Sequence, residues 1–383
     1  MALDISILVD IAVILIAAKV FGEAAERLKF PVLFGEMIGG LVIGALVIIK
    51  PTAFMNELAS FGILFLFFML GLTLKVADIR KGIKPTFAMA IAGTFVSFLL
   101  GFLFGYFMFA DALKGLFVGV AIMSTSTAIA LKSLHDAGEL NTKVFNLASA
   151  VSRIDDVVAI LMITVITTLM LIGPKFEMIL FIVAVVLAVF LLLEKWIAEW
   201  IGKFLELFKQ LKDEYIIISL ALVVLFVVSF LVQKIGIGSA IGAFLAGYAL
   251  SKSSVTEEEI LPKMKTIGYG FFIPLFFTYA AMSADFGTIL NSLGSIIILF
   301  ILAILAKFIG TAILAWWEGY KGHEVGLLGS AMMPRGEYAI AIAYIALSSQ
   351  FIDKQLYSML IVFVLLTILV TPIAFRIVKR KGY

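Results

Sequence analysis

Two adjacent carboxylates sit within a long apolar run of this chain. The run Ser149-Ala-Val-Ser-Arg-Ile-Asp-Asp-Val-Val-Ala-Ile-Leu-Met162 carries Asp155 and Asp156 at mid-segment depth. Neighbours on an α-helix point about 100° apart, so one carboxylate can face a cavity while the other reaches a different helix. In a low-dielectric medium two such groups repel each other and lose hydration. A carboxylate under that pressure can alternate between holding a proton and holding a hard cation. The plainer use of the same residues is a buried ion pair that locks helices together. That use fits Asp155 by itself better than it fits the pair.

Few other charges share this depth. Lys307 lies near the middle of Ile296–Ala315 with no loop in reach, and it needs an anionic partner, for which Asp155 or Asp156 is the candidate. A static counter-ion and a proton-releasing group are both open to it. Arg153, Arg335, Glu36 and Glu337 complete the set, with Lys19 close enough to its helix end to snorkel. Burying any of them in hydrocarbon costs several kcal/mol, so they must face protein or water. Two segments also look interrupted. Met123-Ser-Thr-Ser-Thr-Ala128 puts four hydroxyls at mid-membrane depth, and Met332-Met-Pro-Arg-Gly-Glu-Tyr338 puts a proline and a glycine around two charges. Proline lacks a backbone donor and hydroxyls compete for backbone partners, so both are helix breaks. Breaks at corresponding positions of two halves mark a transporter's binding site. Arg335 and Glu337 are placed to offset the charge of facing helix ends at such a crossing, and Glu337 can equally pair with Arg153.

The elements that must hold these residues are membrane helices. Of the 383 residues, 63% are hydrophobic and 14% charged, with a mean hydropathy of +1.17. A soluble domain is nearer half apolar and a quarter charged. There is no cysteine, hence no disulfide or thiolate metal site. No cleavable leader is evident, because the first apolar run carries Asp4 and Asp10 and lacks a basic start. A spanning helix needs about 20 apolar residues. About thirteen segments qualify, at 4–22, 31–50, 57–75, 84–109, 112–134, 143–172, 176–194, 214–233, 236–252, 266–283, 288–317, 324–349 and 355–378. Of the 29 Lys and Arg, twenty fall on one side and five on the other (Lys50, Lys114, Lys175, Lys234 and Lys354). The side richer in Lys and Arg is the cytoplasmic one, which puts the N-terminus outside and the C-terminus inside. Glu194–Glu214 keeps its Trp, Ile, Leu and Phe residues at helical spacing and reads as a helix lying at the interface. If the seventh span is a linker, each half holds six helices, both breaks fall in the fifth of their half, and the second half is inverted.

These residues together resemble the monovalent cation:proton antiporters, in the branch with two adjacent aspartates. Pro31-Val-Leu-Phe-Gly-Glu-Met-Ile-Gly-Gly40 is similar to that family's Gly-rich opening helix. Gly236-Ile-Gly-Ser-Ala-Ile-Gly-Ala-Phe-Leu-Ala-Gly247 resembles its ninth-helix signature, and Phe271-Phe-Ile-Pro-Leu-Phe-Phe277 the segment after it. The Ser-Thr break, the aspartates, Lys307 and Pro334-Arg-Gly-Glu337 follow in the family's order. One departure is Thr73, where many relatives carry an acid. The resemblance implies an all-α polytopic fold in one membrane domain: repeats at 1–172 and 214–383, a linker at 173–213, and crossed discontinuous helices. It further implies a mobile core beside a dimerisation domain, and a homodimer. By motif position Asp156 matches the principal ion-binding aspartate and Asp155 the one bridged to Lys307; the expected Na⁺ site uses the oxygens of Asp156 with help from Asp155, Thr127 and backbone carbonyls in the breaks. Thr127 and nearby hydroxyls such as Ser126 match the unwound stretch that coordinates the ion. Arg153, Arg335 and Glu337 read as core electrostatics.

The expected activity is exchange of Na⁺, with Li⁺ in the same site, for H⁺ across a plasma membrane. In the family that the chain resembles the lysine accompanies electrogenic exchange, so the resemblance implies an electrogenic cycle. No cofactor, nucleic acid or resident metal is called for; Na⁺, H⁺ and the bilayer are the partners. K⁺/H⁺ exchange on the same fold is the close rival, because selectivity depends on cavity size and ligand number. An intramembrane aspartyl protease also uses two membrane aspartates, but on separate helices so that both can flank a water. A channel fits poorly with a repeat architecture and a buried lysine, and an organic-anion symporter would want basic residues at its cavity.

Overall fold

The computed structural model describes residues 5–74, 85–140, 142–173, 176–192, 215–253 and 255–381. All regular structure among them is helical. In chain order the α-helices are α1 (Ile5–Arg27), α2 (Val32–Ala45), α3 (Ala53–Thr73), α4 (Pro85–Phe109), α5 (Ala112–Met123), α6 (Thr127–Asp136), α7 (Lys143–Ile172), α8 (Phe176–Leu192) and α9 (Ile216–Lys234). There follow α10 (Ser239–Leu250), α11 (Leu261–Ile267), α12 (Ile273–Met282), α13 (Phe286–Asn291), α14 (Leu293–Trp317), α15 (Gly322–Ala331), α16 (Glu337–Ser348) and α17 (Lys354–Lys381). Among the described residues, seven helical stretches are long and apolar enough to cross a bilayer, counting α5 and α6 as one; α2 and the shorter apolar helices α10 and α16 add further hydrophobic length.

The chain falls into two compact units. The first holds the described residues of Met1–Lys50, Val76–Ala159 and Phe277–Tyr383; the second holds those of Pro51–Lys75 and Ile160–Phe276. Within the second unit, α3 and α10 lie backbone to backbone. A Cβ on Gly71 would meet the Phe244 carbonyl oxygen at 2.2 Å, and one on Gly247 would meet that of Phe68 at 2.1 Å. Lipid is as apolar as leucine, so helices in it associate by close packing of small residues, and these two glycines permit that approach. Within the first unit, Met89, Ala130, Leu134, Ala148, Val151, Leu328 and Phe375 belong to one buried cluster drawn from α4, α6, α7, α15 and α17. That cluster fixes the elements on which the charged residues sit.

Both interrupted segments are broken as the composition requires. The expected span 112–134 divides into α5 and α6 around extended Ser124 and Ser126. The span 324–349 divides into α15 and α16 around residues 332–336. The region 214–252 divides into α9 and α10. One stretch that reads as a loop is helical. The run into α12 begins at Val255, not at 266, and holds two π segments, Thr256–Ile260 and Gly268–Phe272. Glu257-Glu258-Glu259 and Lys263 hide it, because a charged run reads as loop although Glu and Lys are good helix formers. The second span is shorter than 31–50: α2 stops at Ala45, and Val47 takes a left-handed φ of 51°. The interfacial reading of Glu194–Glu214 and the basic residues Lys75, Arg80, Lys81, Lys84, Lys175, Lys195, Lys203, Lys209 and Lys212 lie outside the described residues.

Candidate ion site

The two breaks meet inside the first unit. The Ser126 amide donates to the Pro334 carbonyl at 2.9 Å, joining one broken segment to the other. The approach requires Gly336, where a Cβ would sit 2.8 Å from the Cβ and hydroxyl of Ser126. Each broken helix exposes carbonyls at its C-terminal end and amides at its N-terminal end, and these ends carry opposite partial charge.

Cations occupy the carbonyl ends. Arg335 is fully buried. Its Nε donates to the Ile122 carbonyl at the end of α5 at 2.6 Å. One terminal nitrogen donates to the Met332 and Met333 carbonyls just past α15, each at 2.9 Å. The other donates to the Ala303 carbonyl on α14 at 3.0 Å. The guanidinium thus ties the ends of both broken helices to α14, a use of its planar, many-donor head that a point charge cannot match. Lys307 does the same for the last residue of α5, donating to the Met123 carbonyl at 2.9 Å. Carboxylates occupy the amide ends. Glu337 opens α16 and accepts from the Ser126 hydroxyl at the start of α6 at 2.9 Å. Asp156 accepts from the hydroxyl of Thr127, the first residue of α6, at 3.0 Å.

The adjacent aspartates are placed very differently. Asp155 and Lys307 form an ion pair at 2.7 Å with both side chains fully buried. The Thr125 hydroxyl donates to the same Asp155 oxygen at 3.0 Å, and the Thr94 hydroxyl donates to the other at 2.5 Å. Thr94 also accepts from Lys307 at 2.9 Å, which closes a triangle. The three N–H bonds of the ammonium therefore reach Asp155, Thr94 and the Met123 carbonyl. A buried pair is tolerable when its remaining donors and acceptors are met in this way. Asp156, by contrast, is half-buried and takes a single hydroxyl donor among the described residues. The charges of Glu337, Asp155 and Arg153 all act on it.

Of the residues singled out from sequence, Asp155 and Lys307 are brought together, as are Asp156 and Thr127. Ser126 turns to Glu337 rather than to an aspartate. Arg153 is half-buried and its Nε lies 3.4 Å from the Ser149 hydroxyl. Glu36 is buried in α2, with its backbone carbonyl accepting from Thr278, and Lys19 is exposed. Sequence reasoning misses Thr94. Its signal is Gly93-Thr94 in α4, since Gly93 packs on Gly310 of α14, with a Cβ on Gly310 reaching the Gly93 Cα at 2.9 Å. That packing sets Thr94 beside Lys307, and no spacing within either helix reveals it. Among the described residues no group of three or more acidic or histidine side chains converges as a resident metal site would.

Broken helices that cross in a membrane protein, their ends offset by buried charges around paired carboxylates, define a carrier of small cations. Residues 11–381 match the family described as sodium/hydrogen exchanger, transmembrane. The chain belongs to that family: it is a membrane-embedded cation/proton antiporter, and not an enzyme. It is 27% identical over 365 residues to the Na⁺/H⁺-K⁺ antiporter GerN of Bacillus cereus, covering 95% of this chain and 94% of GerN. It is 27% identical over 378 residues to a Na⁺/H⁺ antiporter of Enterococcus hirae, covering 97% and 98%. Its fold matches the solved structure of the sodium proton antiporter MjNhaP1 from Methanocaldococcus jannaschii with a TM-score of 0.75 at 17% identity, over 98% of each chain.

Proposed function

We propose that the chain exchanges Na⁺ for H⁺ and that Asp156 is the group the two ions share. The observation that carries this reading is the unequal engagement of the adjacent carboxylates. Asp155 is saturated by Lys307, Thr94 and Thr125. Asp156 keeps most of its acceptor capacity and is half-buried. Ionised, Asp156 offers a hard cation its oxygens, with Thr127 as a further ligand. Protonated, it releases the cation. Either state is neutral enough to cross a low-dielectric barrier, whereas the empty, charged site is not, and coupling without leak follows.

Lys307 makes the cycle electrogenic in this proposal, its bridge to Asp155 re-forming whenever the cation leaves. Arg335 and Glu337 hold the crossing. The unit bearing the site is the core, the other is the dimerisation domain of a homodimer, and both arise from inverted repeats at 1–172 and 214–383 with a linker at 173–213. The residue charges put the N-terminus outside and the C-terminus in the cytoplasm of a plasma-membrane protein. Neither a cofactor nor a resident metal takes part. Selectivity for K⁺ is the second reading, favoured by the name of GerN, which includes K⁺.

Reconstituted protein driven by a pH gradient, with Na⁺, Li⁺ or K⁺ and with the membrane potential free or clamped, tests these points together. Asp156→Asn should lower Na⁺-driven proton movement by about 100-fold or more, the low end of what losing a proton-carrying side chain costs. Its melting temperature should stay near that of the wild type. Undiminished exchange by this variant would sink the assignment.

A further inference from the structure

One cavity of the first unit lies away from the carboxylates. It measures about 460 Å³ and is bordered by Glu26, Lys29, Lys132, Asp136, Phe375 and Arg376, among others. That volume suits a small ligand, for which sites run from about 300 to 1,000 Å³. Three cations and two anions converge on it from four places: the end of α1, the turn into α2, the last turns of α6, and the end of α17.

These charges neutralise one another only in part, and Asp136 lies 3.4 Å from the ring nitrogen of His135. Lys132 and Glu26 stand 3.8 Å apart, a loose pair with both side chains partly exposed. Lys29 and Arg376 have no side-chain hydrogen bond or ion pair among the described residues. Lys29 is held in place at some cost. It occupies the left-handed position of a helix-ending Schellman turn, with φ 66°. The Phe30 amide donates to the Ala25 carbonyl and the Lys29 amide to that of Glu26, both at 2.9 Å. Glycine is the usual occupant of that position, because a side chain there is strained. The same turn, with the same pair of bonds, is taken by Gln350 at φ 61°, so what sets Lys29 apart is its place in the lining of the cavity.

We propose that this cavity binds a phosphate group carrying a primary ammonium, as in a phosphoethanolamine headgroup. Lys29, Lys132 and Arg376 take the phosphate oxygens, which accept charge-assisted bonds from all three. Glu26 and Asp136 take the ammonium, whose insertion parts the loose Lys132–Glu26 pair. The headgroup reaches the cavity from a phosphatidylethanolamine at the membrane surface, or as free O-phosphoethanolamine. Occupancy ties the last turn of α6 to α1 and α17. The first residue of α6 is Thr127, on Asp156, and ten residues of helix span about 15 Å. The ligand thereby restrains the helix that presents the ion site.

The test is the melting temperature of the delipidated full-length protein in detergent, with phosphatidylethanolamine, phosphatidylglycerol or free O-phosphoethanolamine added. A ligand that binds the folded state raises it. Lys29→Gly is the decisive variant, since glycine relieves the backbone strain while deleting the ammonium, so its baseline must not fall; Arg376→Gln is the second. Stabilisation by phosphatidylethanolamine, with an affinity lowered about tenfold or more in each variant, supports the site with the lipid as source; deleting one charged donor to the phosphate is worth about that factor. The same pattern with O-phosphoethanolamine assigns a soluble source. Equal stabilisation by phosphatidylglycerol, or stabilisation that both variants retain, overturns the proposal.

Discussion

Asp155 and Asp156 are the same residue type, one position apart on one helix, yet they occupy two different chemical environments. On one side of α7, three donors from α4, α14 and the break after α5 close around a carboxylate that water does not reach. On the other, a carboxylate meets the first hydroxyl of α6 and remains half-open. The difference teaches that the 100° between successive side chains can give two adjacent carboxylates a closed and an open environment on one helix. In the first region every donor of the lysine has a partner. The second leaves a carboxylate with acceptor capacity to spare, which is where the proposed cation would sit.

Breaking the closed side should have the largest effect on stability. Lys307→Met leaves Asp155 buried without its cation, which should cost about 3–5 kcal/mol in equilibrium unfolding. Adding Asp155→Leu should recover most of that loss, because well-packed apolar residues replace a buried ion pair at little cost. If the double variant is no more stable than Lys307→Met, the unpaired Asp155 charge is not what destabilises the single variant. A smaller effect belongs to the open side. Thr127→Val removes the one described hydroxyl on Asp156 and should weaken apparent cation affinity about ten- to a hundredfold, on the order of one hydrogen bond to a charged group. Unfolding should shift little, and a change confined to stability would put Thr127 with the structural residues instead.

The smallest effect calibrates a carboxylate outside both regions. Asp285 caps α13, and the backbone and side-chain bonds of Thr288, with a contribution from the charge of Lys354, hold its carboxyl below the usual value of 3.8. A carboxyl lowered in the folded state adds stability above its unfolded value and loses it as pH falls through the folded one. Asp285→Asn should therefore lower the melting temperature slightly at pH 6 and leave it unchanged near pH 2. A difference that persists unchanged into acid would show that the charge of Asp285 is not what stabilises the cap.

Much of this is legible without any coordinates. The apolar excess requires a membrane protein, and the Ser-Thr and Pro-Arg-Gly segments require broken helices, because those are properties of local chemistry. Glu257-Glu258-Glu259 misleads for the same reason, as charge without an apolar stripe gives no period to read. The partners across the site are not legible. Nothing along α4 distinguishes Thr94 from Ser97 or Thr86 until Gly93 meets Gly310. Ser126 and Thr127 are equivalent in the sequence, and the fold sends one to Glu337 and the other to Asp156.

The chain by itself determined which residues had to be kept from lipid, since the cost of an unpaired charge in hydrocarbon does not depend on the fold. Only the tertiary structure decided which of them meet. Pairing is a matter of ångströms between helices far apart in sequence, and the close approaches at Gly93, Gly310 and Gly336 set those distances.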